Sequence, residues 1–147
     1  MQDDIRLVID KDVLLRYTEF YFSQRPRATK PPIKQPYHES INQWMILRRA
    51  AMNALKQRWK DFIKWFVNEQ GYANLRIDKC EIIQSIYYPT NRRRDLDNSV
   101  PKFILDGLVE SEMVVDDDMK HITKLTLTGG IDTEHPRTEL EIKIINE

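Results

Sequence analysis

The feature that most constrains the fold is the stretch of residues 40–70, whose apolar side chains recur at helical spacing. Ser40 is a favourable N-cap residue, and Gly71 supplies a stop after the last turn. The apolar stripe is broad enough to cover a β-sheet. We therefore predict one long helix packed on a sheet. The stripe consists of Ile41, Trp44, Met45, Leu47, Ala51, Leu55, Trp59, Phe62, Ile63 and Phe66.

Strand patterns occur on both sides of this helix. Residues 5–9 alternate and carry Val and Ile, which predicts a first strand. Residues 75–88 are dense in β-branched and aromatic side chains, and Pro89 ends the run. We predict a central strand there. The single cysteine, Cys80, lies in this run and is expected to be a buried structural thiol.

A second, short helix is predicted over residues 99–111. Asn98 is its expected N-cap, and Pro101 lies in the first turn, where its missing N–H is harmless. Two strands follow, over residues 123–128 and 138–145, with Gly129 and Gly130 at the turn that starts their connection. The pattern predicts an α/β fold in which one long and one short helix pack on a mixed sheet.

Length and composition fit one domain spanning residues 1–147. Of these residues 41% are hydrophobic, enough for a substantial core. No apolar run approaches the roughly 20 residues of a membrane helix, and the N-terminus lacks the pattern of a signal peptide. We therefore expect a cytoplasmic protein without a membrane partner.

Residues 23–40 contain four of the seven prolines and no helical or strand pattern. We predict a long, extended, basic loop, which is either functional or a disordered excursion. Its basic residues have no acidic residue near them in sequence, so phosphate is their expected partner. These are Arg25, Arg27, Lys30 and Lys34.

Charge is segregated along the chain although the net charge is zero. A basic run occupies residues 92–94, whereas residues 106–118 contain six acidic residues and no basic one. Such segregation suits a protein that holds a polyanion beside a divalent cation. Charge runs are more often simply solvated faces, so this alone leaves nucleic-acid binding open.

Asp95 and Asp97 form the most informative spacing in the chain. In an extended segment two residues this far apart point the same way, as ligands of one small hard cation must. They precede a predicted helix N-terminus, which favours phosphate, and follow Arg92, Arg93 and Arg94, which can pair with phosphates. These are the parts of metal-assisted phosphodiester chemistry. The alternative is that both aspartates only form turns and caps.

The stretches RRRDLDN, PKFILDGL and VVDDD resemble the RusA family of Holliday-junction resolvases, of the phage and prophage type. The final TGGIDTEHPRTELEIKI is similar to the closing strands of that family, so the resemblance runs from Arg92 to the C-terminus. It implies that Asp95 and Asp97 bind metal and that Lys102 assists catalysis. It also implies a third metal ligand from the triplet after the helix, which we assign to Asp117, with Asp118 as the fallback.

The resemblance further implies a Mg²⁺-dependent endonuclease, with Mn²⁺ as a possible substitute. It implies a symmetric homodimer that resolves four-way DNA junctions by paired nicks in recombination and repair. The DNA-binding residues expected are Arg92, Arg93, Arg94, Arg25, Arg27, Lys30 and Lys34. Three alternatives remain at this stage: a nuclease for flaps or other branched DNA, a non-catalytic DNA-binding module, and a metal-binding structural or regulatory protein.

Overall fold

The computed structural model, which describes residues 4–146, has a mixed sheet of four strands. Along the chain these are β1 (Ile5–Ile9), β2 (Cys80–Tyr88), β3 (Ile122–Ile131) and β4 (Arg137–Ile144). Their order across the sheet is β1, β4, β2, β3. β4 runs antiparallel to both of its neighbours, whereas β2 and β3 are parallel. The predicted α/β fold with a mixed sheet is confirmed.

Within this part of the chain the sheet is accompanied by four α-helices and a 3₁₀ helix. The α-helices are α1 (Lys11–Gln24), α2 (Ile41–Trp44), α3 (Arg49–Glu69) and α4 (Lys102–Glu110), and the 3₁₀ helix covers Leu96–Ser99. The 3₁₀ helix and α4 form the crossover that a parallel strand pair requires. No helix among the described residues is long and apolar enough to cross a membrane.

The core lies where α3 and α4 pack on the sheet. Trp59 and Phe62 of α3, Phe103 and Leu108 of α4, and Ile82 of β2 are all fully buried. The two helices approach closely at Gly107, because a Cβ there would lie only 2.5 Å from the Cβ of Ile63. Any larger residue at this position would push α3 and α4 apart.

The prediction of only two helices was wrong, since α1 was not recognised. Asp10 caps α1 by accepting a 3.1 Å hydrogen bond from the backbone N–H of Val13. Only Val13, Leu14 and Tyr17 of this helix are buried, and its second half is rich in aromatic residues that do not favour a helix. The amphipathic signal is therefore weak. Because α1 continues to Gln24, the proline-rich segment begins later, and we call residues 25–40 the arm.

The single long helix predicted over residues 40–70 was also wrong, because a turn at residues 45–48 separates α2 from α3. Ser40 does act as an N-cap, but for the short α2. The backbone N–H of Asn42 donates to Oδ1 of Asn98 at 2.9 Å, which holds α2 against the 3₁₀ helix. The turn lets α2 keep this contact while α3 packs on α4.

Three predicted boundaries also shift. The second helix begins at Lys102, with Pro101 rather than Asn98 at its N-cap. β2 begins at Cys80 because Asn74 and Arg76 have φ values of 63° and 51°, which a strand cannot contain. Gly129 and Gly130 lie inside β3, and the connection to β4 falls at residues 132–136. Backbone conformation at these positions is set by tertiary contacts that local patterns do not report.

The arm packs on the sheet and the helices. Ile33, Pro36 and His38 are buried. The hydroxyl of Thr138 on β4 donates to the carbonyl oxygen of Pro36 at 2.6 Å. The arm therefore crosses the fold along a defined path and brings its polar side chains beside the segment that follows β2.

Candidate functional site

The segment that carries Asp95 and Asp97 lies beyond the carboxyl end of β2, beside the parallel strand β3. Gln84 of β2 donates from Nε2 to the carbonyl oxygen of Ser99 at 2.8 Å. Leu96 lies over β3, because a Cβ on Gly129 would be 3.8 Å from its Cδ1. The carboxyl ends of parallel strands are where open α/β sheets commonly bind ligands.

Asp95 and Asp97 both expose their side chains to solvent. Asp95 has an extended backbone and precedes the 3₁₀ helix, but its side chain makes no capping hydrogen bond. Asp97 lies in the first turn of that helix, so the two residues do not share one extended segment as predicted. The closest cation to Asp95 is Arg93, at 3.5 Å. Neither carboxylate therefore forms a hydrogen bond that caps the 3₁₀ helix.

Asp95 lies between two grooves. The first, of about 400 Å³, separates residues 92–95 from the arm and α2. The second, of about 390 Å³, lies between the same segment and the end of β3, including Thr128 and Ile131. The first groove is lined by Gln35, Tyr37, His38, Ser40, Asn42, Gln43, Tyr88, Arg92, Arg93, Arg94, Asp95, Asn98 and Ser99.

The three arginines before Asp95 differ in their surroundings. Arg94 lies 4.0 Å from the centre of the Tyr88 ring, and its guanidinium donates to the carbonyl oxygen of Thr90 at 2.9 Å. It therefore holds the segment in place. Arg92 and Arg93 are exposed, and among the described residues Arg92 has no ion-pair partner. These two are better placed than Arg94 to meet a phosphate.

The acidic triplet lies in the connection between α4 and β3, and its members have different roles. Asp118 accepts hydrogen bonds from the backbone N–H groups of Lys120 and His121, at 3.1 and 3.2 Å. Asp116 accepts from the backbone N–H of Asp117 at 2.7 Å. Asp118 and Asp116 thus shape the turn, whereas within residues 4–146 no backbone N–H of another residue donates to the Asp117 carboxylate.

The pKa of Asp117 is raised above its usual value. Partial burial is the largest cause, followed by the negative charge of Asp106 and by the hydrogen bond and negative charge of Asp116. A carboxylate close to other carboxylates gains more than an isolated one when a cation binds beside it. Asp117 is therefore the better ligand candidate than Asp118. Asp106, the first of the six acidic residues in the range 106–118, is an additional acidic group beside it.

Lys102 is the first residue of α4, and its side chain is exposed. Asp106 follows four residues later, so both project from the same face of the helix. This arrangement places Lys102 about one helical turn from the carboxylate that neighbours Asp117. Lys102 forms no ion pair with an aspartate in the part of the chain that the structure describes.

Sequence reasoning missed His38, which connects the arm to α4. Its Nε2 accepts a 2.9 Å hydrogen bond from the backbone N–H of Phe103 in the first turn of that helix. The predicted phosphate-binding helix N-terminus is thus partly occupied by a protein side chain. Burial lowers the pKa of His38 to about 4, which keeps the imidazole neutral and able to accept. The only sequence signal was a lone histidine at the end of a proline-rich run.

The basic residues of the arm are exposed, but they face different surroundings. Arg25 lies 4.3 Å from the centre of the Tyr21 ring. Lys30 and Lys34 line a groove of about 490 Å³ between the arm and α3, where Arg58 adds a further positive charge. Phosphate contacts by these residues stay a prediction.

The structure does not gather the three predicted metal ligands. Within residues 4–146 no three side chains of His, Cys, Asp or Glu are grouped closely enough to hold a metal ion. The donor chemistry nevertheless suits Mg²⁺, which prefers carboxylate oxygens and keeps several water ligands. The assignment of Asp95, Asp97 and Asp117 as ligands therefore stays a prediction.

No protein-family model matches this chain, and no curated protein matches it either.

Proposed function

We propose that this protein is a Mg²⁺-dependent endonuclease that cuts branched DNA, as its resemblance to the RusA family implies. The observation that carries the proposal is the position of Asp95. Its exposed carboxylate lies between two grooves beyond the end of β2, beside the exposed guanidinium groups of Arg92 and Arg93. A phosphodiester in either groove would meet positive charge and an acidic metal ligand together.

The basic groups divide into two sets. Arg92 and Arg93 hold the phosphate next to the cleavage site, where paired N–H groups give orientation as well as charge. Lys30, Lys34 and Arg58 hold DNA further away, along the groove between the arm and α3. Contacts of this second kind position the duplex but carry no sequence information.

Asp95, Asp97 and Asp117 would hold the metal. A bound Mg²⁺ supplies a polarised phosphate and a water of lowered pKa. Lys102, one turn from Asp106 on α4, would stabilise the negative charge that develops on the phosphate oxygens. Because all three side chains are exposed, their carboxylates would turn towards one cation when the metal and the substrate bind.

A homodimer forms part of this proposal. A four-way junction has two-fold symmetry, so paired nicks on opposed strands require two active sites related by the same axis. A symmetric dimer with one site in each subunit meets this requirement. Flaps and forks lack that symmetry, and a single cut by one subunit would then suffice.

A second candidate is a protein that binds branched DNA without cutting it. The observation that favours it is that no three metal-ligating side chains lie together in the described part of the chain. The basic groove and the arginines would serve such a binder equally well. The carboxylates of Asp95 and Asp97 would then only weaken binding, because they repel phosphate.

The test is a cleavage assay on a synthetic four-way junction, a 5′ flap and a linear duplex, each with Mg²⁺ and with EDTA. The proposal predicts cuts at the branch point of the junction or the flap in Mg²⁺ alone, and paired cuts in the junction if it is a resolvase. Tight binding to branched DNA without cleavage in Mg²⁺ or Mn²⁺ would favour the second candidate. Absence of both binding and cleavage would contradict both candidates.

A further inference from the structure

The turn between α2 and α3 exposes three consecutive apolar side chains, which we call the tip. Met45 is 61% exposed, Ile46 81% and Leu47 39%. Apolar residues scattered singly over a surface are ordinary, but a run of three is costly to leave in water. In the sequence Met45 and Leu47, but not Ile46, were expected to belong to a buried helical stripe. Their exposure therefore points to a ligand that covers them.

The tip is held in a defined position next to the candidate cleavage site. A capping box between Ser40 and Gln43 fixes the start of α2. The backbone N–H of Asn42 donates to Oδ1 of Asn98, in the 3₁₀ helix that also contains Asp97. On its inner side Trp44 packs on Phe103, with 5.6 Å between the ring centres. These contacts attach the tip to the segment of Asp95 and Asp97.

The charges around the tip identify the kind of ligand. Arg48 and Arg49 follow it directly, and both are exposed. On the other side of α2 lies the groove that contains Arg92 and Arg93. Among the described residues, neither Arg48 nor Arg49 forms an ion pair. An apolar surface flanked by unpaired arginines complements the stacked bases and the phosphates of DNA.

A second copy of the chain is a poorer match. In a two-fold contact whose axis passes through the tip, Arg48 and Arg49 of one copy would approach those of the other. Such a contact would place like charges together around the apolar side chains. DNA covers the same surface with opposite charge.

Resting on the proposed function, we infer that the tip inserts between base pairs at the branch point of the DNA, while Arg48 and Arg49 hold the flanking phosphates. Apolar side chains wedge between base steps in many proteins that bend DNA. Unstacking costs least where stacking is already interrupted, as it is at a branch. Insertion would therefore favour branched over linear DNA and would place the branch point beside Asp95.

The test uses four-way DNA junctions that carry the fluorescent base 2-aminopurine either at the branch point or in the middle of one of the four duplexes. Its fluorescence rises when the base loses its stacking partners. The wild-type protein is compared with a triple variant, Met45→Ser, Ile46→Ser and Leu47→Ser. The control is Leu15→Ser on α1, because Leu15 is similarly exposed, at 62%, and lies outside the proposed site. Binding is measured with EDTA present over a range of salt concentrations.

We expect wild type and Leu15→Ser to raise the fluorescence of 2-aminopurine at the branch point but not in the middle of a duplex. The triple variant should lose most of this rise and bind the junction on the order of tenfold more weakly, with an unchanged salt dependence. Since the replaced side chains are exposed, the thermal midpoint should not fall, and it is measured alongside. Single Ile46→Ser should show the same effect in smaller measure.

Three outcomes would overturn the inference. One is unstacking by the triple variant equal to that of wild type. Another is a wild-type protein that is a dimer in light scattering and a triple variant that is a monomer, which would make the tip a contact between copies. The third is a wild-type protein that cuts junctions without any rise at the branch point. A wild-type protein that binds no branched DNA would instead contradict the proposed function itself.

Discussion

The Nε2 atom of His38 accepts a 2.9 Å hydrogen bond from the backbone N–H of Phe103, so the arm is attached to the first turn of the helix that begins with Lys102. The bond requires a neutral imidazole. Protonation of His38 would break it and leave a charge among the aromatic side chains of Trp59 and Phe103. The path of the arm and the start of α4 therefore both depend on the protonation state of His38.

This dependence predicts how stability changes with pH. In the folded protein burial lowers the pKa of His38 to about 4, from an ordinary value of 6.5. The stabilisation is complete above pH 6.5 and is lost as the pH falls through 4, because the unfolded chain binds the proton first. The full contribution is about 3 kcal/mol. In urea unfolding, the free energy of unfolding of wild type should fall with falling pH over this range, and His38→Gln should lack this fall. An equal pH dependence of the free energy of unfolding in both proteins would show that His38 is not its source.

The choice between Asp117 and Asp118 predicts opposite effects of the same chemical change. Asp117→Asn should lower cleavage by more than about a hundredfold, the upper end of losses seen when metal sites lose outer-shell groups. It should not lower stability, because it removes repulsion with Asp106 and Asp116. Asp118→Asn keeps an oxygen for the N–H groups of Lys120 and His121, and should keep most activity. The reverse pattern of single-turnover rates would move the ligand to Asp118.

The arm should affect DNA binding and not the chemical step. Replacing Arg27, Lys30 and Lys34 with alanine should weaken binding to junction and linear duplex alike. For each phosphate that is no longer neutralised, the dependence of log affinity on log salt should flatten by about 0.9. Arg25 is left in place because it packs on Tyr21. A control with Lys11→Ala and Lys124→Ala should bind as wild type does. An unchanged salt slope in the arm variant would show that the arm does not contact DNA.

Lys102 should behave in the opposite way. Lys102→Ala should slow single-turnover cleavage by about a hundredfold to a thousandfold, as loss of one transition-state donor does elsewhere. Junction affinity should change little, since the charge matters most in the transition state. Lys124→Ala, another exposed lysine, serves as the control. If the two variants cut equally fast, Lys102 is only a surface lysine.

Elements with strong periodicity could be predicted from the sequence. The alternation of Leu140 and Ile142 with charged residues placed β4 within one residue, and its buried side chains do face the core. The order of strands along the chain and the α/β class followed from the same patterns. α1 was missed because only three of its residues are buried and its aromatic residues mask the helical signal.

Features that depend on contacts between distant residues could not be predicted. The break after Trp44 accompanies the bond between Asn42 and Asn98, which are far apart in sequence. The bond between His38 and Phe103 is likewise invisible to local patterns. In the candidate site, the sequence identified the acidic and basic residues but not their partners. The use of Arg94 to hold its own segment is one result that only the structure provides.

The decisive measurement for the proposed nuclease is single-turnover cleavage of a four-way junction by wild type and by Asp95→Asn, in Mg²⁺, with junction binding measured beside it. Wild type is expected to cut at the branch point. Asp95→Asn should bind as tightly or more tightly, because a negative charge next to the phosphate is gone, yet leave the junction intact. Asp97→Asn should do the same. Cleavage by Asp95→Asn at the wild-type rate would contradict the proposed function.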